Sequence, residues 1–207
     1  METTKNWAIV PSIEIIAKTI ANLKANGINA VLAKDANDAK GKVLALIPLQ
    51  AEVMTQTSVT ADTISIATSI NESGKYNSVR KQLSTMSREI QGLEMQKLGT
   101  APAYTVGSVH AVTEDGKIVI ASNTGSQLPA YAYGSSQVIW IVGAQKIVKD
   151  LDQAMQRIYE YVLPLESKRA HKAYGVAGSF VSKILIINRE VAPERIHLIF
   201  VPEVIGF

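Results

Sequence analysis

Residues 107–152 read GSVHAVTEDGKIVIASNTGSQLPAYAYGSSQVIWIVGAQKIVKDLD, and the fold turns on how this stretch divides. Apolar runs rich in β-branched residues alternate with polar loops containing Gly, and an amphipathic helix follows. Asp115-Gly116 is a tight-turn signal between the runs AYTVGSVHAV (103–112) and KIVIAS (117–122). VIWIVGA (138–144) is apolar without interruption, the pattern of a strand buried on both faces. Asp150 then caps a helix whose stripe is Leu151, Ala154, Met155, Ile158 and Val162. Gln153 gives it a capping-box-like start, and Pro164 is its expected stop. In such a layout small-molecule chemistry belongs where the loops converge.

Upstream, Ile13, Ile16, Ala17, Ile20 and Leu23 form one helical stripe over 12–26, with Ser12 as cap and Gly27 as stop. INAVLA (28–33) reads as a strand, 37–46 as a helix and EVMTQ (52–56) as a second strand. This alternation predicts an α/β protein, three-layer α/β/α with a mostly parallel central sheet. Thr60 is read as the cap of a helix from Ala61, leaving Thr57 and Ser58 in the loop before it. Ser78 starts a longer helix striped by Val79, Leu83, Met86, Ile90 and Leu93, suited to packing on a neighbour and ending near Gly99. Downstream, 166–176 reads as a polar, basic connector, KILIIN (183–188) and RIHLIFV (195–201) as strands, and PEVIGF as a docked tail. No linker or repeat interrupts this order, so 1–207 is taken as one domain, helix-rich over 1–100 and strand-rich over 101–207.

Of the 207 residues 47% are apolar and 19% charged, a globular balance. The net charge of +3 is mild, and no Lys/Arg stripe interleaves with aromatics, which argues against nucleic acid as a partner. Cysteine is absent, so the chain holds no disulfide, no Cys-ligated zinc and no iron–sulfur cluster of its own. No stretch reaches the ~18 apolar residues of a membrane span. METTKNWAIVPSIEII also lacks the charged-then-apolar pattern of a leader, and the expectation is a cytoplasmic protein.

Few residues invite chemistry. His110, His171 and His197 stand apart without metal-ligand spacing, so no metal is expected. The nucleophile elbow, the Walker loop and the dinucleotide fingerprint are missing. Three small polar loops remain: Thr57-Ser58, Gly107-Ser108 and Asn123-Thr124-Gly125-Ser126. Each is explained singly by turn formation, but three near strand ends suit a carboxylate- or phosphate-binding crevice. Glu114, beside Gly116, reads either as a solvated hairpin residue or, if buried, as a nucleophile or general base.

The run from Val106 to Ala170, with ALIPLQAEVMTQTS (45–58) and RIHLIFVPEVIGF (195–207), resembles the LUD (lactate utilisation) domain. The resemblance implies a NagB/RpiA/CoA-transferase-like fold and a cytoplasmic system oxidising L-lactate to pyruvate with iron–sulfur partner subunits. In that system a chain without cysteine is the cluster-free component. CoA transferases of the wider fold carry a catalytic glutamate in Ser-Glu-Asn-Gly. Thr113-Glu114-Asp115-Gly116 is similar to it, and Glu114 and Gly116 also match the Ala-Glu-Thr-Gly more usual in LUD domains. The resemblance thus implies proton transfer at Glu114. A small anionic metabolite would be held by Thr57, Ser58, Gly107, Ser108, Gly116, Asn123, Gly125 and Ser126. The rival expectation is a non-catalytic protein that senses a sugar phosphate, nucleotide or acyl-CoA. A homodimer fits either reading.

Overall fold

The Ser12 hydroxyl accepts the Ile15 N–H at 3.4 Å and starts α1 (Ile13–Ala25), which buries Ile16, Thr19 and Leu23. In the computed structural model, which describes residues 5–207, the chain continues through β1 (Asn29–Leu32), α2 (Ala36–Ala45), β2 (Glu52–Thr55), α3 (Val59–Thr63) and α4 (Ile66–Asn71). Residues 1–4, part of the stretch read for a leader, lie outside the described residues. Next come β3 (Asn77–Ser78), α5 (Val79–Ser84), α6 (Arg88–Thr100), β4 (Tyr104–Gly107), β5 (Ala111–Thr113) and β6 (Ile118–Ser122). The last elements are β7 (Gln137–Gly143), β8 (Ile147–Val148), α7 (Leu151–Arg157), α8 (Leu163–Tyr174), β9 (Lys183–Ile187) and β10 (Ile196–Val201).

The central sheet has six strands in the order β1-β10-β7-β4-β2-β3, all pairs parallel, with helices against it. The uninterrupted run 138–144 sits at its centre as β7, where alternate residues face opposite cores. Ile139 and Ile141 pack with Val43, Ile66 and Ile70 of the helices on one face. Val138, Trp140 and Val142 pack with Leu23 of α1 and with Val112, Ile118 and Ile120 on the other. Those last three belong to a second sheet that the sequence did not disclose, ordered β8-β5-β6-β9. Its far face packs Ala111, Val119 and Ala121 against Ala154 and Ile158.

Several boundaries differ from expectation. AYTVGSVHAV divides between two sheets: β4 joins the central one, and the chain turns at Ser108 so that β5 pairs with β6 across the Asp115-Gly116 turn. Ser58, not Thr60, caps the helix after β2, accepting the Ala61 N–H at 3.3 Å, and Ser65 (φ 54°) breaks that helix into α3 and α4. The long helix from Val79 also breaks, because the Ser84 and Thr85 hydroxyls bond the carbonyls of Lys81 and Gln82 and end α5. Its expected stripe does not pack: α6 buries no residue, and Ile90 and Leu93 are 86% and 67% exposed.

Pro164 does not stop its helix. A π-helical turn over Ile158–Val162 leads into α8, placing Pro164 in the first turn, where its missing N–H costs little. The connector read at 166–176 is therefore mostly helix, ended by Gly175 at φ 69°. The tail is docked as expected, with Ile205 buried and its carbonyl accepting from Gln145 at 3.0 Å.

Candidate functional site

Parallel strands point their carboxyl ends the same way, so the loops leaving β2, β4 and β7 meet at one edge of the central sheet. A crevice of about 1150 Å³ opens there. Thr57, Ser58, Ser108, Asn123, Gly125 and Ser126 all line it, so residues nearly 70 positions apart are brought together. Gly107 lies just behind: a Cβ there would meet the Tyr131 hydroxyl at 2.0 Å, so only glycine lets that ring close the crevice floor. Tyr131 is itself braced edge-to-face on Trp140, with centroids 5.3 Å apart.

Lys146, which follows β7, is the residue that sequence reasoning missed. It is 2% exposed, lines the crevice, and donates to the Thr60 hydroxyl (2.9 Å), the Ser108 hydroxyl (3.1 Å) and the Val109 carbonyl (3.0 Å). No carboxylate pairs with it among the described residues. Burial, and then the charge of Arg157, pushes its ammonium well below the ordinary lysine range. The available signal was a lysine two residues past the unbroken apolar run 138–144, the place where α/β proteins bind ligands.

Further cations line the crevice. Arg80 clamps the end of β2 through two bonds to the Thr55 carbonyl (3.0 and 2.7 Å), and Arg88 stands at the mouth. Among the described residues Glu166 is the one acidic side chain in the lining, and Arg169 occupies it with bonds of 2.7 and 2.6 Å. Behind the wall, the buried Arg157 bonds the His110 carbonyl at 2.5 Å, while its Nε and second terminal nitrogen have no partner among the described residues. Burial pulls Arg157 down to about 10. The crevice thus carries surplus positive charge in a place where water screens it poorly, which suits an anion.

Glu114 and Gly116 lie elsewhere. Neither lines the crevice; they form the β5–β6 turn beside α1, where Glu114 pairs with Lys18 at 3.1 Å and its carbonyl accepts from Asn22 at 2.8 Å. No cluster of three or more His, Cys, Asp or Glu could hold a metal among the described residues, and without cysteine the chain does not fit an iron–sulfur cluster. Among the described residues, no helix is long and apolar enough to cross a membrane.

Residues 16–201 match the family model of the LUD domain. A crystal structure of a DUF162 family protein from Deinococcus radiodurans superposes with a TM-score of 0.58 at 10% identity, covering 91% of this chain and 96% of that one. At that identity the likeness is one of fold. No curated protein matches the chain.

Proposed function

The chain belongs to the LUD-domain family, and from that premise we propose that it binds a small carboxylate, L-lactate or pyruvate, at Lys146 as the cluster-free component of a lactate-oxidising system. One observation carries this: a buried ammonium at the crevice floor is met only by neutral oxygens of the protein. A carboxylate there gains a charge-assisted bond and repays part of the desolvation that folding imposes on the lysine. Thr60 and Ser108 orient the amine, and Thr57, Ser58, Asn123, Gly125 and Ser126 line the entrance. Removing two electrons and two protons from lactate needs an acceptor, which on this reading is the iron–sulfur partner subunit: its clusters take the electrons one at a time, and the two protons pass to solvent. Glu114 holds the hairpin to α1 and has no share in binding.

Titration calorimetry of the chain with L-lactate and pyruvate, repeated on Lys146→Met, tests the site. Binding that the substitution abolishes supports it; binding that survives unchanged removes Lys146 from the proposal. Co-purification with an iron–sulfur protein tests the assembly.

The crevice's size favours a second reading. At about 1150 Å³ it exceeds the ~300–1,000 Å³ that enclose drug-sized ligands, far more than a three-carbon acid fills. A non-catalytic sensor of an acyl-CoA, nucleotide or sugar phosphate would use that space. Tighter binding of acetyl-CoA or a nucleotide than of lactate in the same titration would select it.

A further inference from the structure

His110 lies on the crevice wall between the two buried cations: Lys146 bonds the carbonyl of the preceding residue, and Arg157 bonds the carbonyl of His110 itself. Its backbone N–H is held by the Val119 carbonyl at 3.0 Å. Its Nδ1 accepts the Ala121 N–H at 3.1 Å. Only a bare ring nitrogen can accept, so the neutral ring carries its hydrogen on Nε2, and the ring's one side-chain hydrogen bond among the described residues is the one at Nδ1. A second proton would break the Ala121 bond and set a third cation beside Lys146 and Arg157. Burial first, and then those two charges, bring His110 down to about 3.

We propose that His110 is a ligand-binding donor of the crevice, locked as the Nε2–H tautomer by the Ala121 amide and giving that hydrogen to a carbonyl, carboxylate or phosphoryl oxygen of the ligand. This presupposes that the crevice is the ligand site proposed above. With Nδ1 committed and Nε2 protonated, His110 has no lone pair for proton abstraction and is not the base of any oxidation here. It selects for an oxygen acceptor, and does so equally at neutral and mildly acid pH.

Two measurements test this with the full chain. In NMR of isotope-labelled histidine, the apo protein shows one bare and one protonated ring nitrogen at His110, unchanged from about pH 8 to about pH 5; protonation near the ordinary value of about 6.5, or the Nδ1–H tautomer, overturns the proposal. Adding pyruvate, with inorganic phosphate as a second probe, moves the Nε2 signal; a bound probe, detected by calorimetry, that leaves Nε2 unmoved overturns the donor role alone. If neither probe binds at all, the crevice reading is overturned and the donor role with it. Asn at this position keeps an acceptor for Ala121, but its amide N–H groups stop short of the Nε2 position, so His110→Asn weakens pyruvate about tenfold at unchanged melting temperature. His110→Gln, whose amide reaches toward the Nε2 position, restores most of that affinity. Equal binding by wild type and both variants would overturn the assignment.

Discussion

Two charged clusters flank β5, and they differ in who neutralises them. At the hairpin, Glu114 meets Lys18, Asp115 meets Lys117, and α1 supplies Asn22 to the Glu114 carbonyl and Asn26 to the carbonyls of Asp115 and Gly116 (3.2 and 3.1 Å). Each of these charges has a protein partner and is at least partly exposed to water. At the crevice, Lys146 is buried with three neutral oxygens, and two nitrogens of Arg157 behind it have no partner among the described residues. Balanced, wet charge holds structure together at small gain, whereas unbalanced, dry charge is carried at a desolvation cost. Glu114 of the suggestive motif is thus neutralised by the protein, whereas Lys146 has no counter-ion among the described residues.

The contrast is broken most directly at Lys146. Lys146→Met should weaken pyruvate by about a hundredfold, roughly 2.7 kcal/mol, while thermal melts of the apo chain stay level or rise, because a costly buried charge has gone. A stable variant with full affinity would put both clusters on the same footing.

Gly116→Ala should show the opposite profile. Gly116 sits at φ 86°, and an added Cβ would lie 2.8 Å from the Asn22 carbonyl carbon and 2.9 Å from the Leu23 nitrogen. Denaturant unfolding should lose about 2 kcal/mol from strain and from α1 being pushed off the turn. Calorimetry should find ligand affinity unchanged.

Acid sharpens the comparison further. His110 titrates at about 3 in the folded chain and at about 6.5 when unfolded, so between these values the unfolded state binds the extra proton. Stability should fall with falling pH through that window, by up to about 1.4 kcal/mol per unit on this residue's account, and His110→Asn should flatten that part of the slope. Lys146 acts with the same sign at the alkaline end. Its folded value is lowered, so its penalty fades as pH rises toward the unfolded lysine value of about 10.4. Urea midpoints measured across pH check both.

The smallest effect belongs to Glu114→Gln, which removes a partly exposed pair with Lys18. It should cost under about 0.5 kcal/mol and leave binding alone. A large loss of pathway activity with unchanged binding would restore the proton-transfer role that the motif suggested.

Much of this was legible along the chain because it is locally encoded. β-branched runs, the Asp115-Gly116 turn and the caps at Ser12 and Asp150 act over a few residues, and all recur in the structure. The polar loops Thr57-Ser58 and Gly107-Ser108 were found for the same reason, as turn chemistry at the ends of apolar runs. Where local signals competed, tertiary context chose. Pro164 is a stop in isolation, yet a π-helical turn lets the helix absorb it. The stripe Ile90 and Leu93 promised a buried helix face, but no element of the described chain lies over it.

By itself, then, the sequence determined the parallel α/β architecture, the buried central strand and the polar loops at strand ends, since periodicity and turn preference are properties of neighbours. Only the tertiary structure decided that 103–112 serves two sheets, that the Glu114 turn faces α1, and that Lys146 lies buried without an acid. Lys146 meets Ser108 across 38 residues and Thr60 across 86. Burial and charge balance are sums over everything that surrounds an atom, and those surroundings exist only once the chain has folded.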